Sequence, residues 1–149
     1  FMIIARTEAL IAGMGMNEAL KRANAYEDAG ADAILIHSKK DTPNEIFEFS
    51  DMWNGNIPLI VVPTSYPSVN LDELISHKIR MVIYANQSLR VAHSAMSRVL
   101  QEINKTKSLT EVKEKMSTME QIFELQEMYN IKKEEEAVEK ELKKLGYTK

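Results

Sequence analysis

Phe1-Met2-Ile3-Ile4-Ala5-Arg6-Thr7-Glu8-Ala9-Leu10 is the stretch whose reading decides the fold. An unbroken apolar run meets a cation, a hydroxyl and a carboxylate. Strands with one wet face alternate apolar and polar residues, whereas parallel strands covered on both faces read as continuous apolar runs. The run Met2–Ala5 is of the second kind, and it places Arg6, Thr7 and Glu8 where the strand ends. A strand that opens a chain in this way predicts partner strands ahead of it. The sequence therefore reads as the second half of something larger.

Working outward, three more runs repeat the pattern: Ala33–Ile36, Leu59–Val62 and Met81–Ala85. Helix signals lie between them. Asn17 is placed to cap a helix with Leu20, Ala23 and Tyr26 on its apolar face, ending near Gly30. Thr42-Pro43-Asn44-Glu45 reads as a capping box ahead of Ile46, Phe49 and Trp53. Asn70-Leu71-Asp72-Glu73 repeats that logic, and Asn86 or Ser88 starts a fourth helix bearing Ala92, Ala95, Val99 and Ile103. Repeated strand-then-helix units predict an α/β fold with a parallel sheet and right-handed crossovers. Pattern alone leaves an open doubly wound sheet or half of an eight-stranded βα barrel, whose usual length is about 250 residues. The want of a lead-in to the first strand favours the C-terminal half of a (βα)8 TIM barrel, over residues 1–107.

Residues 108–149 carry no strand signal and predict a C-terminal helical arm. Ser117-Thr118-Met119-Glu120 reads as another capping box, followed by Ile122, Phe123 and Gln126. The Glu- and Lys-rich end, Lys132 to Lys144, has Glu136–Lys140 and Glu139–Lys143 at the i,i+4 spacing of an exposed helix. Two readings stay open: a solvated helix, or an arm that packs on another subunit or leads to a further domain.

Composition narrows the function. The 149 residues carry 19 basic and 22 acidic side chains, a net charge of −3, so no basic field points to nucleic acid. There are no cysteines, which excludes disulfides and thiolate metal sites. No apolar run approaches the roughly 20 residues of a membrane span. A cytoplasmic location is the expectation.

In parallel α/β folds, ligands sit at the carboxyl ends of strands. Those ends offer Arg6, Thr7 and Glu8; His37, Ser38 and Lys39; Pro63, Thr64 and Ser65; and Asn86, Gln87 and Ser88. Arg6 is the first candidate, since a cation beside an apolar strand needs an anionic partner and its planar fork suits carboxylate or phosphate oxygens. A structural pair with Glu8 is the alternative. His37 is the second candidate, as a donor to an anion or as an acid or base, against a plain rim residue. Lys39 and Lys40 form a small basic pair at the same rim. His77 and His93 fall on helices and read as surface or packing residues. No H-E-x-x-H spacing, Asp-x-Asp at a strand end or complete Gly-rich phosphate loop is present, and Gly13-Met14-Gly15 is a weak signal. The sequence thus holds no metal site of its own.

Ile4-Ala5-Arg6-Thr7-Glu8-Ala9, Ala29-Gly30-Ala31-Asp32-Ala33, His37-Ser38-Lys39-Lys40, Val62-Pro63-Thr64 and Tyr84-Ala85-Asn86 together resemble the phosphoenolpyruvate mutases of the isocitrate lyase superfamily. Glu8 and His37-Ser38-Lys39 resemble the mutase and phosphonopyruvate hydrolase branch more than the lyases. The resemblance implies a βα barrel that binds Mg²⁺ and interconverts phosphoenolpyruvate and phosphonopyruvate, the entry step to phosphonates. It implies that Arg6 and His37 contact the transferring phosphoryl group and the anionic end of the substrate. It implies that the Mg²⁺ ligands come from an N-terminal half outside this chain, which alone would be inactive. It also implies a homodimer or homotetramer built through C-terminal helices. The alternatives are a phosphonopyruvate hydrolase, another enzyme of the superfamily, and a half-barrel assembly module without turnover.

Overall fold

The computed structural model describes residues 1–147. Four strands, β1 (Ile4–Thr7), β2 (Ala33–Ile36), β3 (Leu59–Val61) and β4 (Ile79–Val82), each precede a helix: α1 (Met16–Asp28), α2 (Asn44–Met52), α3 (Leu71–Ser76) and α4 (Gln87–Thr106). All strand pairs are parallel, and the sheet order is β1-β2-β3-β4. This order separates the two topologies left open by the sequence. A doubly wound sheet reverses its strand order at a switch point, whereas a barrel adds each strand beside the last. The sheet is the barrel type, four βα units of it.

The chain divides into two compact units, Phe1–Val91 and a second beginning at Ala92. The first unit holds the core. Helix-facing residues Ile34, Ile36, Leu59 and Val61 pack with Ala19, Ala23, Ile46, Phe49 and Leu74. Burying each Ile, Leu or Phe contributes about 1.5–3 kcal/mol. The opposite face carries Ala33, Leu35 and Ile60, with Val62 and Ile83 beside them. Both faces of β2 are buried along its whole length, which is why its sequence shows no alternation. The return from α1 to β2 passes through Gly30 at φ 92°, a left-handed conformation that a side chain would disfavour.

The second unit comprises the rest of α4, a short 3-10 helix (Thr110–Lys115), α5 (Met119–Leu125) and α6 (Met128–Lys144). Its one fully buried large side chain among the described residues is Val112. Lys115 Nζ lies 2.5 Å from Glu102 Oε2, and Lys143 Nζ lies 2.9 Å from Glu139 Oε1.

Several local expectations shift. β1 is Ile4–Thr7 rather than Met2–Ala5, and β4 is Ile79–Val82 rather than Met81–Ala85. The bounds follow the partner strand: Ile4 pairs with Ala33 and Thr7 with Ile36, so Arg6 lies inside the strand. Met16 opens α1 behind Gly15, so Asn17 sits within the helix and does not cap it. Pro43 takes the N-cap position of α2, and no side chain caps there. Glu45 instead accepts from Ser38, whose buried hydroxyl needs a partner. The last box is displaced by one residue: Thr118, with extended backbone, exchanges hydrogen bonds with Gln121. The Asn70–Glu73 box forms as expected.

Candidate functional site

The pleat explains why the candidate residues meet. Side chains two apart along a strand share a face, and paired residues of parallel strands point the same way. Arg6 pairs with Leu35, which belongs to the face away from the helices. Glu8 is two residues beyond Arg6 and His37 two beyond Leu35, so all three converge at the carboxyl ends of β1 and β2.

Contacts bear this out. Arg6 Nη2 donates to His37 Nδ1 at 2.8 Å. Arg6 Nε donates to Glu8 Oε1, and the same oxygen lies 3.8 Å from His37 Nδ1. His37 is the most enclosed of the three, with a side chain 19% exposed against 49% for Arg6 and 46% for Glu8. Desolvation by burial lowers the His37 pKa, the Arg6 charge lowers it further, and Glu8 opposes both. The ring is therefore neutral at pH 7. Arg6 is always a donor, so Nδ1 supplies its lone pair and the proton sits on Nε2.

This assignment limits the chemistry. With its lone pair engaged, His37 has no free base, and a neutral Nε2–H is a weak acid. What the ring can offer a ligand is donation from Nε2–H. Glu8 and His37 use two of the five Arg6 N–H groups and leave three. Together with Nε2–H they make a set of donors suited to phosphoryl or carboxylate oxygens. The structural pairing with Glu8 thus does not exclude a ligand, because Glu8 holds the Nε edge and leaves Nη N–H groups unpaired.

Other rim candidates stand apart. Lys39 and Lys40 are exposed. Thr64 Oγ1 and Asn86 Oδ1, beyond β3 and β4, are buried without a hydrogen-bond partner, and so is Tyr66 OH. Burial pushes the Tyr66 hydroxyl up to about 12, so it stays protonated. Orphaned buried polar atoms cost about 1–3 kcal/mol each. Tyr66 was not foreseen, since an aromatic beyond Pro63-Thr64 gives no sequence signal beyond core packing. His77 packs structurally: its ring stacks on Phe47 at 3.8 Å, with Nδ1 3.2 Å from Asp51 Oδ1. Among the described residues no three His, Asp or Glu side chains gather as metal ligands, and Glu8 is already committed to Arg6. These residues do not fit a Mg²⁺ site.

The sequence model of the phosphoenolpyruvate phosphomutase family matches residues 1–104. The chain belongs to the phosphoenolpyruvate phosphomutase family. It is 45% identical to the phosphonopyruvate hydrolase of Variovorax sp. (strain Pal2) over 127 residues, 85% of this chain and 44% of that protein. It is also 45% identical to the phosphoenolpyruvate phosphomutase of Tetrahymena pyriformis over 126 residues, 85% of this chain and 42% of that one. A solved phosphonopyruvate hydrolase in complex with oxalate and Mg²⁺ superposes with a TM-score of 0.84 at 43% identity, covering 89% of this chain and 47% of its own. The chain thus spans somewhat less than half the length of these family members.

Proposed function

We propose that this chain is the C-terminal portion of a phosphoenolpyruvate mutase, and that its contribution is the Arg6–Glu8–His37 donor set. In that reaction the bond between phosphorus and the enol oxygen breaks and a bond between phosphorus and carbon forms. No group leaves, so the enzyme's task is to hold a migrating phosphoryl group beside pyruvate enolate. Phosphoryl transfer asks for positioned positive charge and donors more than for covalent chemistry. Arg6 Nη groups and His37 Nε2–H supply these, and the single observation that carries the reading is the 2.8 Å contact that fixes both.

Mg²⁺ would neutralise charge on the bound keto acid, with ligands from outside these 149 residues. The hydrolase relative solved with oxalate and Mg²⁺ supports that part of the reading. The chain alone would then be inactive. The exposed apolar faces of the second unit support assembly through the C-terminal helices into a homodimer or homotetramer. No helix among the described residues is long and apolar enough to cross a membrane, in keeping with a cytoplasmic enzyme acting on a small anion.

Phosphonopyruvate hydrolase is the second reading, favoured by a relative at the same 45% identity. There water would take the phosphoryl group from carbon and leave pyruvate and phosphate. The test follows phosphonopyruvate by phosphorus NMR with Mg²⁺, using this chain and the full-length protein side by side. Phosphoenolpyruvate from the full-length protein supports the mutase, and inorganic phosphate supports the hydrolase. Turnover by the 149 residues alone overturns the partial-site reading. In the full-length protein, Arg6→Ala is expected to cost kcat/KM about 100-fold or more, the scale of losing one preorganised donor. Wild-type kcat/KM would remove Arg6 from the site.

A further inference from the structure

We propose that Ser38 and Glu45 form a strap that positions His37 against Arg6, so that this pair, remote from the donor atoms themselves, sets the geometry of the site. The proposal rests on the reading of Arg6 and His37 as ligand donors.

Ser38 is fully buried. Its hydroxyl donates to Glu45 Oε2 at 2.5 Å and accepts from the Lys40 backbone N–H at 3.1 Å. One short contact thereby ties the end of β2 to the first turn of α2, and the second folds the loop between them onto the same hydroxyl. Both anchors are fixed from behind. Ile36, the last residue of β2, is fully buried, and so are Ile46 and Phe49 of α2. His37 lies between Ile36 and Ser38, so both of its chain neighbours are held while Lys39 and Lys40 remain exposed.

The carboxylate is spent in an unusual direction. A glutamate in the first turn of a helix ordinarily serves its own N-terminus. α2 has no side-chain cap at all, and Glu45 turns to Ser38. A charged acceptor for a buried hydroxyl is a strong bond that removes freedom from a loop. That freedom matters here because the Arg6–His37 contact spans 31 residues of sequence and depends on where the loop places the imidazole. Donors held before the ligand arrives need no reorganisation during reaction, whereas a shift of about 1 Å can cost 100-fold. Ser38 and Glu45 are thus positioning residues.

The test reads His37 directly in this chain, by nitrogen-15 NMR of histidine-labelled protein. The charged groups facing the ring are Arg6 of β1 and Glu8 just beyond that strand, and the exposed Lys39 and Lys40 follow it in the chain. Wild type is expected to show the Nε2–H tautomer and a midpoint below 6.5. Ser38→Ala and Glu45→Ala are expected to give mixed tautomers and a midpoint closer to 6.5, with unchanged far-ultraviolet dichroism. Ser38→Thr and Glu45→Gln keep a hydroxyl and an acceptor and are expected to restore the wild-type signature. A folded Ser38→Ala or Glu45→Ala protein with wild-type tautomer and midpoint overturns the strap. Glu45→Ala alters a partly exposed residue and decides the matter if Ser38→Ala does not fold.

In the full-length protein the same two alanine variants are expected to lower kcat about 10- to 100-fold with a smaller change in KM. Altered His37 spectra in an enzyme that turns over neither phosphonopyruvate nor phosphoenolpyruvate would keep the strap and reject the function. Unaltered spectra in an active mutase would do the reverse.

Discussion

The two compact units differ in how much of a buried core their apolar residues build. The first, up to Val91, builds a core in which Ile34, Ile36, Ile46, Phe49, Val61 and Tyr66 are all fully buried, while Phe1, Ile75, Leu89 and Val91 outside that core stay more than half exposed. The second, from Ala92, leaves most of its own in water, including Leu100, Leu109, Leu125, Val138 and Leu145, each more than half exposed. Both regions form helices of good length and both have capping boxes. Secondary structure is therefore not what divides them. The first unit satisfies its apolar surface internally on the helix side of the sheet. The second has amphipathic helices whose apolar stripes lack a mate within the unit, the condition expected of segments that bury area against another molecule.

The sharpest way to break that contrast is to truncate one large side chain in each unit. Phe49 is fully buried and stacks on Trp53 with ring centroids 6.0 Å apart. Phe49→Ala is expected to lower the free energy of unfolding by about 3–5 kcal/mol, read as a fall in the urea midpoint. Leu142 of α6 is 36% exposed. Leu142→Ala is expected to change unfolding by no more than about 0.5 kcal/mol, while lowering any concentration-dependent mass seen by light scattering. Equal destabilisation by both would mean that the second unit has a core of its own.

A milder test compares the two capping boxes. Asn70 Oδ1 accepts from Glu73 N at 3.0 Å, and Thr118 Oγ1 accepts from Gln121 N at 3.2 Å. Asn70→Ala is expected to cost about 1 kcal/mol of global stability, because α3 carries the buried Leu74 into the core. Thr118→Ala removes a similar bond from a helix with no buried residue. Its effect is expected as local fraying in hydrogen exchange at residues 119–122, with the global midpoint unmoved. A fall in the global midpoint would show that α5 contributes to the cooperative fold.

How much of this was legible in the sequence follows the same division. The four apolar runs and the Gly30 return led to the parallel sheet; β2 and β3 are buried along their whole length and leave a continuous apolar signature, whereas β1 and β4, at the sheet edges, are largely exposed despite theirs. Strand ends were less legible. The ladder between Ile4–Thr7 and Ala33–Ile36 sets them, and no apolar run reports a partner 29 residues away. Arg6 and His37 could be placed at the rim by position, and their convergence follows from period-two geometry. The bond from Ser38 to Glu45 could not, since Thr42-Pro43-Asn44-Glu45 has every local mark of a cap. The burial of Ser38 won, and burial is a tertiary property. In the second unit the helices were legible, whereas what their apolar faces meet is not written in one chain.

Smaller still is the expected pH response, which tests whether the first unit couples its fold to its site. His37 has a lowered pKa in the folded state, chiefly because burial disfavours the imidazolium and then because Arg6 repels it. Between that folded value and the unfolded 6.5, the unfolded chain binds more protons than the folded one. Stability therefore rises with pH across this window. The His37 contribution is full above 6.5 and is lost as pH falls from there through the folded value. Glu18, lowered mainly by its hydrogen bond from Arg22, acts in the same direction but only below 4.5, so the two windows separate. Partial solvation of the ring keeps the effect modest. Urea midpoints measured from pH 7.5 to 5 are expected to decline, and His37→Gln is expected to flatten the decline by removing the titrating group. Arg6→Ala is expected to flatten it partly, because desolvation of the ring persists when the cation is gone. Identical slopes in wild type and His37→Gln would show that the imidazole is solvated in the folded chain, and the site would then be open at the place where the fold encloses it.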